Sequence, residues 1–377
     1  MRTTAIIIFT IFTFCNLFGQ SKNVLYGERD LKSTAENIYI DKDGTLYPSF
    51  NISDRSLEAC NASLKEFYLK NPSIFLEISK IYNCSFNRYS KENGLVLNDS
   101  IISKFINQLN KKNINTTAFF IHGFRKSFKS ANGDYDSPTD YSILNEAYTK
   151  YSAANSAIVN VYWDALYDCC FSSNSKKNKA MFLLFEEAQQ NAEKTAVTLN
   201  KILIKTKSQT VDIVTHSLGA KVAVYSLLDV NDKGIKTPSN KVNLFLIAPA
   251  ISPELISDNY LKRNSNFDLN NSDNYSLSIV YNEKDFALKK KDDKLGLFGP
   301  GPYKYGNTTL GCNYNDGCEK LKNYFKSNLP KSKIILYNLT SAVEKCHHVR
   351  CYCSNENLKA IFIDKNKSVG SDNSAAN

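Results

Sequence analysis

Histidine is scarce in this chain, with four among 377 residues. Any chemistry that needs an imidazole therefore has few candidates, and each can be weighed singly. Long apolar runs are missing after the N-terminus, so no later segment is long enough to cross a bilayer. Internal repeats are missing as well, which excludes solenoids and propellers. There is no aromatic-basic RNA signature, no zinc-finger spacing and no recognition-helix pattern, so the formal charge of +10 does not point to nucleic acid. The lysines are scattered, apart from KKKDDK at 289–294, and read as a solvated basic surface. The alternatives are a specific polyanion site or an attraction to anionic lipid head groups.

The first twenty residues, MRTTAIIIFTIFTFCNLFGQ, read as a secretory signal peptide. Arg2 supplies the charged start, AIIIFTIFTF the apolar middle and Gly19 a small residue near a cut site. An uncleaved anchor is disfavoured by the short apolar stretch, and Phe14 before Cys15 is a poor match to a lipoprotein site. Export implies a secreted or periplasmic location and an oxidising compartment. The N-x-S/T matches, such as Asn51, Asn61 and Asn115, matter only in a host that glycosylates.

Ten cysteines are present, and beyond Cys15 the nine are Cys60, Cys84, Cys169, Cys170, Cys312, Cys318, Cys346, Cys351 and Cys353. An odd number leaves at least one free or paired between chains. The C-H-H-x-x-C-x-C cluster at 346–353 does not follow a standard zinc spacing, so structural disulfides are the preferred reading over a metal. At least one of Cys346, Cys351 and Cys353 is expected to pair, with Cys312, Cys318 or one another.

Residues 21–112 read as an N-terminal extension that packs on the core. IYIDKDGTLYP carries strand-like runs around a D-G turn. The apolar spacing from Arg55 to Tyr82 is helical with a break at Asn71-Pro72, and 100–112 is an amphipathic helix opened by Asn98-Asp99-Ser100. From 113 to 365 the texture is regular. Strands are expected at 117–122, 157–163, 211–214, 242–248, 276–281 and 333–338, with helices at 178–206, 218–229 and 318–328 between them. Alternating strands and helices imply an α/β fold, a mainly parallel sheet covered on both faces. The polar tail, 366–377, is expected to be disordered.

In such a sheet, active sites lie at the carboxyl ends of strands. The strand ends here carry His122-Gly123-Phe124, Trp163-Asp164, His216-Ser217-Leu218-Gly219 and Asn282-Glu283-Lys284-Asp285, and the chain after the last strand reaches Cys346-His347-His348. VDIVTHSLGA nearly matches G-x-S-x-G, the strand-to-helix turn that exposes a catalytic serine, with Thr215 in place of the first glycine. A serine hydroxyl needs a base, and the base needs an orienting acid. His216 is beside Ser217 in the turn and faces the wrong way, and His122 sits in a loop position, which leaves His347 and His348. Asp285 is the best-placed acid and Glu283 the runner-up. Each residue has a plainer role open to it: Ser217 as a helix cap, Asp285 as a turn residue, the histidines as structural groups among cysteines. Their joint occurrence in the order Ser, Asp, His favours a serine hydrolase.

The chain resembles α/β-hydrolases of the lipase/esterase superfamily between about Asn113 and Ile363. FFIHGF resembles the lipase segment whose loop supplies an oxyanion-hole amide, NVYW the strand ending in tryptophan, THSLGAKVA the nucleophile elbow and CHHVRCY the lipase C-x-H-L-R-S-Y segment. The resemblance implies an α/β-hydrolase fold with Ser217 as nucleophile, His348 as base, and the backbone N–H groups of Phe124 and Leu218 as the oxyanion hole. Two departures follow. Ala248 occupies the place where pancreatic-type lipases carry the acid, so the acid moves one strand on, to Asp285, as in bacterial hydrolases with T-H-S-[LM]-G elbows and a D-x-A-L acid segment. Thr215 replaces a residue that must be small, a change that group tolerates. The implied activity is secreted cleavage of a small-molecule or lipid carboxylic ester, with no metal or cofactor and with peripheral contact to a lipid surface. The other classes left open are a non-catalytic binding protein on the same fold and a secreted structural protein stapled by disulfides. The Gly-rich segment within 287–330 reads equally as a lid and as a surface loop.

Overall fold

Among the described residues, seven strands lie side by side in one sheet in the order β1-β3-β2-β4-β5-β6-β7, and every neighbouring pair is parallel. They are β1 (Glu36–Ile40), β2 (Thr116–Ile121), β3 (Ser156–Trp163), β4 (Thr210–His216), β5 (Lys241–Ile247), β6 (Tyr275–Tyr281) and β7 (Lys333–Asn338). This computed structural model describes residues 35–48, 63–124, 137–151, 155–165, 174–232, 234–263, 274–288, 309–330, 332–353 and 361–362. The expected leader at 1–20, Asn51, Asn61, Cys60, Cys169, Cys170, the lysine run at 289–294, most of the Gly-rich segment and the tail lie outside the described residues.

The central strands form where the sequence is almost continuously apolar. Phe119, Phe120 and Ile121 in β2 and Val211, Ile213 and Val214 in β4 are buried, as expected of a parallel sheet with both faces covered. Among the described residues the helices are α1 (Leu64–Lys70), α2 (Pro72–Ile81), α3 (Lys91–Asn110), α4 (Ser137–Tyr151), α5 (Asn174–Leu203), α6 (Gly219–Leu227), α7 (Pro253–Ser257), α8 (Gly317–Asn328), α9 (Thr340–Val343) and α10 (Val349–Tyr352). None of them is long and apolar enough to cross a membrane.

Two elements differ from the sequence reading. Strand β1 comes from the N-terminal extension yet forms an edge of the sheet, running parallel to β3 with Ile38 opposite Val161. The extension is thus part of the sheet as well as a layer upon it. Helix α3 starts nine residues before the expected opening, at Lys91, because Ser90 Oγ accepts the N–H of Asn93 at 3.1 Å. Asn98 and Asp99, expected as caps, instead reach across the fold. Asn98 Oδ1 accepts the N–H of Leu46 at 2.8 Å, and Asp99 pairs with Lys201 on α5 at 2.7 Å.

Chain direction across the sheet reverses between β2 and β4. From β2 the chain moves to β3 on one side and then to β4 on the other. The crevice outside the carboxyl ends of β2 and β4 is therefore the switch point of the sheet, where open α/β folds place ligands. His122-Gly123-Phe124 and Ser217-Leu218-Gly219 meet there.

Candidate active site

Ser217 lies with Leu218 between β4 and α6, and has φ of +52°, a left-handed conformation that costs a non-glycine residue energy and aims its side chain out of the turn. Its backbone is fixed on both sides. Ser217 N–H donates to Ile247 O at 3.0 Å, and Ala250 N–H donates to Ser217 O at 3.0 Å. Two glycines make room for the turn. A Cβ on Gly219 would lie 2.5 Å from Ile121 O, and one on Gly123 would lie 2.7 Å from Ser217 Cβ. Both obstacles are close to the backbone and cannot swing away. Thr215, where a small residue was expected, is buried, and its hydroxyl faces Phe245 O of the adjacent strand at 3.4 Å.

The acid-bearing turn follows β6. Asp285 is fully buried and all of its oxygen capacity is used. Oδ1 accepts the N–H groups of Ala287 at 2.9 Å and Leu288 at 3.1 Å. Oδ2 accepts Tyr352 O–H at 3.0 Å and His347 Nδ1–H at 2.7 Å. Tyr352 keeps its proton and can donate it here, because burial, and after it the Asp285 charge, raise its hydroxyl far above the usual range. With its Nδ1 proton held by Asp285, His347 presents the Nε2 lone pair to Ser217 Oγ, 3.0 Å away. Ser217, His347 and Asp285 form one continuous line of hydrogen bonds.

His348, expected as the base, is not in that line. It is the residue that begins α10, with extended φ and ψ of −75° and 143°, and its ring lies 6.1 Å from the ring of Phe286. The displacement has a local cause. His347 precedes the helix, on a segment pinned by the disulfide Cys346–Cys351. The same segment is held by Asn282, whose Nδ2 donates to Glu344 O at 2.6 Å and Cys346 O at 3.2 Å, and by His216, whose Nε2–H donates to His347 O at 2.7 Å. The cysteine pairing expected around this cluster therefore runs within it, between Cys346 and Cys351; Cys318 and Cys353 carry no disulfide. Glu283, the runner-up acid, turns away and accepts from Asn313 Nδ2 at 3.2 Å. Ala248 lies buried just past β5 with φ of +45°, next to the elbow.

The expected oxyanion donors stand on either side of Ser217. Leu218 N–H, at the start of α6, has no hydrogen-bond partner among the described residues. On the other side, His122 Nδ1–H donates to Gly123 O at 2.6 Å, while its Nε2 accepts Trp163 N–H at 3.2 Å. Trp163 Nε1–H returns a bond to His122 O at 2.8 Å, and the two rings stack 5.7 Å apart. This weld between the ends of β2 and β3 turns the Gly123 carbonyl toward the histidine ring. In a trans peptide the following N–H, that of Phe124, then points the opposite way. The roles of His122, His216, Asn282 and Tyr352 were not read from the sequence. Only their places at strand ends or near the histidines signalled them.

Residues 98–292 match a family described as "Alpha/beta hydrolase of unknown function (DUF900)", slightly more than half of the chain. No curated protein sequence matches the chain. Among solved structures, a dienelactone hydrolase-like promiscuous phosphotriesterase from metagenomic libraries aligns over 67% of this chain and 85% of its own at 7% identity, with a TM-score of 0.33. Esterase B from Lactobacillus rhamnosis, in complex with a C4-C4 tributyrin phosphonate, aligns over 68% of this chain and 79% of its own at 9% identity, with a TM-score of 0.32. The family match runs from within α3 through β2, the elbow at Ser217 and the acid-bearing turn at Asp285, and on that ground the chain belongs to the DUF900 family of α/β hydrolases.

Proposed function

We propose that this α/β hydrolase is a serine hydrolase that cleaves a carboxylic ester through an acyl-enzyme, with Ser217 as nucleophile, His347 as general base and acid, and Asp285 as the group that orients it. The observation that carries the reading is the unbroken line Ser217 Oγ, His347 Nε2 and Nδ1, Asp285 Oδ2, at 3.0 and 2.7 Å. In the first step Ser217 Oγ bonds to the ester carbonyl carbon and its proton passes to His347 Nε2. The carbonyl oxygen becomes an oxyanion, for which the N–H groups of Leu218 and Phe124 are the candidate donors. The tetrahedral adduct then collapses, the C–O bond to the alcohol breaks, and His347 returns the proton to that leaving oxygen. Water attacks the acyl-enzyme with His347 as base, and the acid leaves with Ser217 restored. Asp285 keeps the imidazole in the Nδ1–H tautomer and stabilises its cationic form. We further propose that the protein works outside the reducing cytosol, a reading supported by the Cys346–Cys351 disulfide.

Ser217→Ala tests the assignment. The variant should fold, should not be labelled by a fluorophosphonate probe, and should hydrolyse p-nitrophenyl esters at least about a thousandfold more slowly than the parent. Persisting label would move the nucleophile elsewhere. A parent protein that neither reacts with the probe nor turns over any ester would favour a binding protein on the same fold.

A further inference from the structure

The chain before the family match contributes more than strand β1. The turn after β1, helix α1, the first turns of α3 and the C-terminal third of α5 enclose a cleft of about 360 Å³, a volume suited to a small molecule. None of Ser217, His347, Asp285, Phe124 and Leu218 lines it.

Its polar groups are unbalanced. Of the four lysines that face it, two are neutralised: Lys194 by Asp43 at 3.2 Å and Lys201 by Asp99 at 2.7 Å. Lys65 and Lys91 make no ion pair and no hydrogen bond among the described residues. Glu92 is exposed and does not line the cleft, and its charge interacts with those of Lys91 and the Tyr89 hydroxyl without forming an ion pair. Deeper in, Asn98 is only 7% exposed. Its Oδ1 is engaged by Leu46 N–H, while its amide NH₂ has no partner among the described residues. The Tyr89 hydroxyl has none either. Two ammonium groups, one amide and one phenol therefore face a space in which the one carboxylate, that of Asp43, is already paired. These donors open on the same cleft, where one acceptor can meet several of them at once. The remaining wall is carbon, from the Tyr68 ring, Val197 and Leu95, which is 54% exposed although it adjoins the cleft.

We propose that this cleft binds a small oxyanion, a carboxylate or a phosphate, that carries a short apolar or aromatic group. The headgroup lies between Lys65 and Lys91 and accepts from the Asn98 amide, and the apolar part rests on Tyr68 and Leu95. The surplus of donors carries the inference, since lysines alone would be an ordinary solvated surface. It does not depend on the reaction proposed for Ser217.

The experiment titrates phenyl phosphate, phenylacetate and the neutral control benzyl alcohol into the full chain carrying Ser217→Ala, read by saturation-transfer NMR. At least one oxyanion should saturate while benzyl alcohol does not, and the two oxyanions separate a phosphate site from a carboxylate site. Lys65→Gln with Lys91→Gln, both at exposed positions, should weaken binding about tenfold or more. Asn98→Asp keeps an oxygen for Leu46 N–H but replaces the free donor with negative charge, and should abolish binding. The proposal is overturned if neither oxyanion saturates by about 10 mM, the weak end of specific affinity. It is equally overturned if the double lysine variant binds as the parent does, or if benzyl alcohol binds as well as the anions.

Discussion

A single peptide unit separates His347 from His348, and their surroundings follow from where that unit sits. His347 is held from behind through its carbonyl by His216 and from the side through Nδ1 by Asp285, whereas His348 opens a helix and rests against Phe286. His347→Ala should lower kcat for an ester at least about a thousandfold, and His348→Ala by less than about tenfold, as measured with p-nitrophenyl acetate. The reverse ranking would return the base to His348. That Ser217, Asp285 and the segment at Gly123-Phe124 lie at the carboxyl ends of strands was legible because a strand end and a turn motif mark them locally. The choice between two adjacent histidines was not, since it depends on a disulfide and on a helix start that only the folded chain defines. A second prediction concerns Asp164, just beyond β3. Burial, and then the charges of Glu187 and Asp41, raise its carboxyl from 3.8 to about 7. A carboxyl raised in the folded state stabilises the fold fully below its unfolded value, and that contribution is lost as pH rises through 7. Asp164→Asn removes the titration. Its melting temperature should exceed the parent's by a few degrees at pH 8, and the gap should close below about pH 4. Equal melting temperatures at pH 8 would show that the Asp164 charge is not a burden on the fold.

Among elements, the segment from Glu344 to Cys353 has the most consequences for its size. It carries little regular structure, and it is tied down by Asn282, His216, Tyr352 and the Cys346–Cys351 bridge. It supplies no strand to the sheet. Reductant should therefore lower ester hydrolysis by about tenfold or more while far-UV circular dichroism stays unchanged, because a local unit opens before the global one. Cys346→Ser with Cys351→Ser should behave in the same way without reductant. Activity and dichroism falling together would assign the bridge to the fold. Element boundaries were readable where apolar runs were continuous, as in β2, β4, β5, β6 and β7. Helix α4 escaped notice although Tyr141, Leu144 and Tyr148, all buried, follow a helical spacing, because polar residues dilute the pattern. The start of α3 is not legible in the sequence, because Asn98 and Asp99 look like caps and serve as tertiary contacts.

For the whole molecule, the decisive feature is that the sheet draws one edge strand from the extension. Asn37 Oδ1 accepts from Asn160 Nδ2 at 2.9 Å across 123 residues of sequence. No local pattern reveals such a pairing, so a boundary placed between 112 and 113 separated β1 from the sheet it completes. Ile38, Tyr39, Ile40, Leu46 and Tyr47 are all buried there. At about 1.5–3 kcal/mol each, their burial is comparable to the 5–15 kcal/mol by which domains are stable. In-frame removal of residues 35–48 should give insoluble protein, or a melting temperature at least about 10 °C lower. A deletion variant that melts like the parent would make β1 dispensable.

Strand order also sets a timetable for synthesis. Strands β5, β6 and β7 join the growing sheet in the order in which they leave the ribosome, each beside its predecessor. The opposite edge closes backwards. Strand β1 is made first and has nowhere to dock until β3 appears, 123 residues later. At about 5–20 residues per second that is a wait of roughly 6–25 s, during which a sticky segment stays uncovered. An apolar strand without its partner therefore exists for that interval, which ends when β3 emerges.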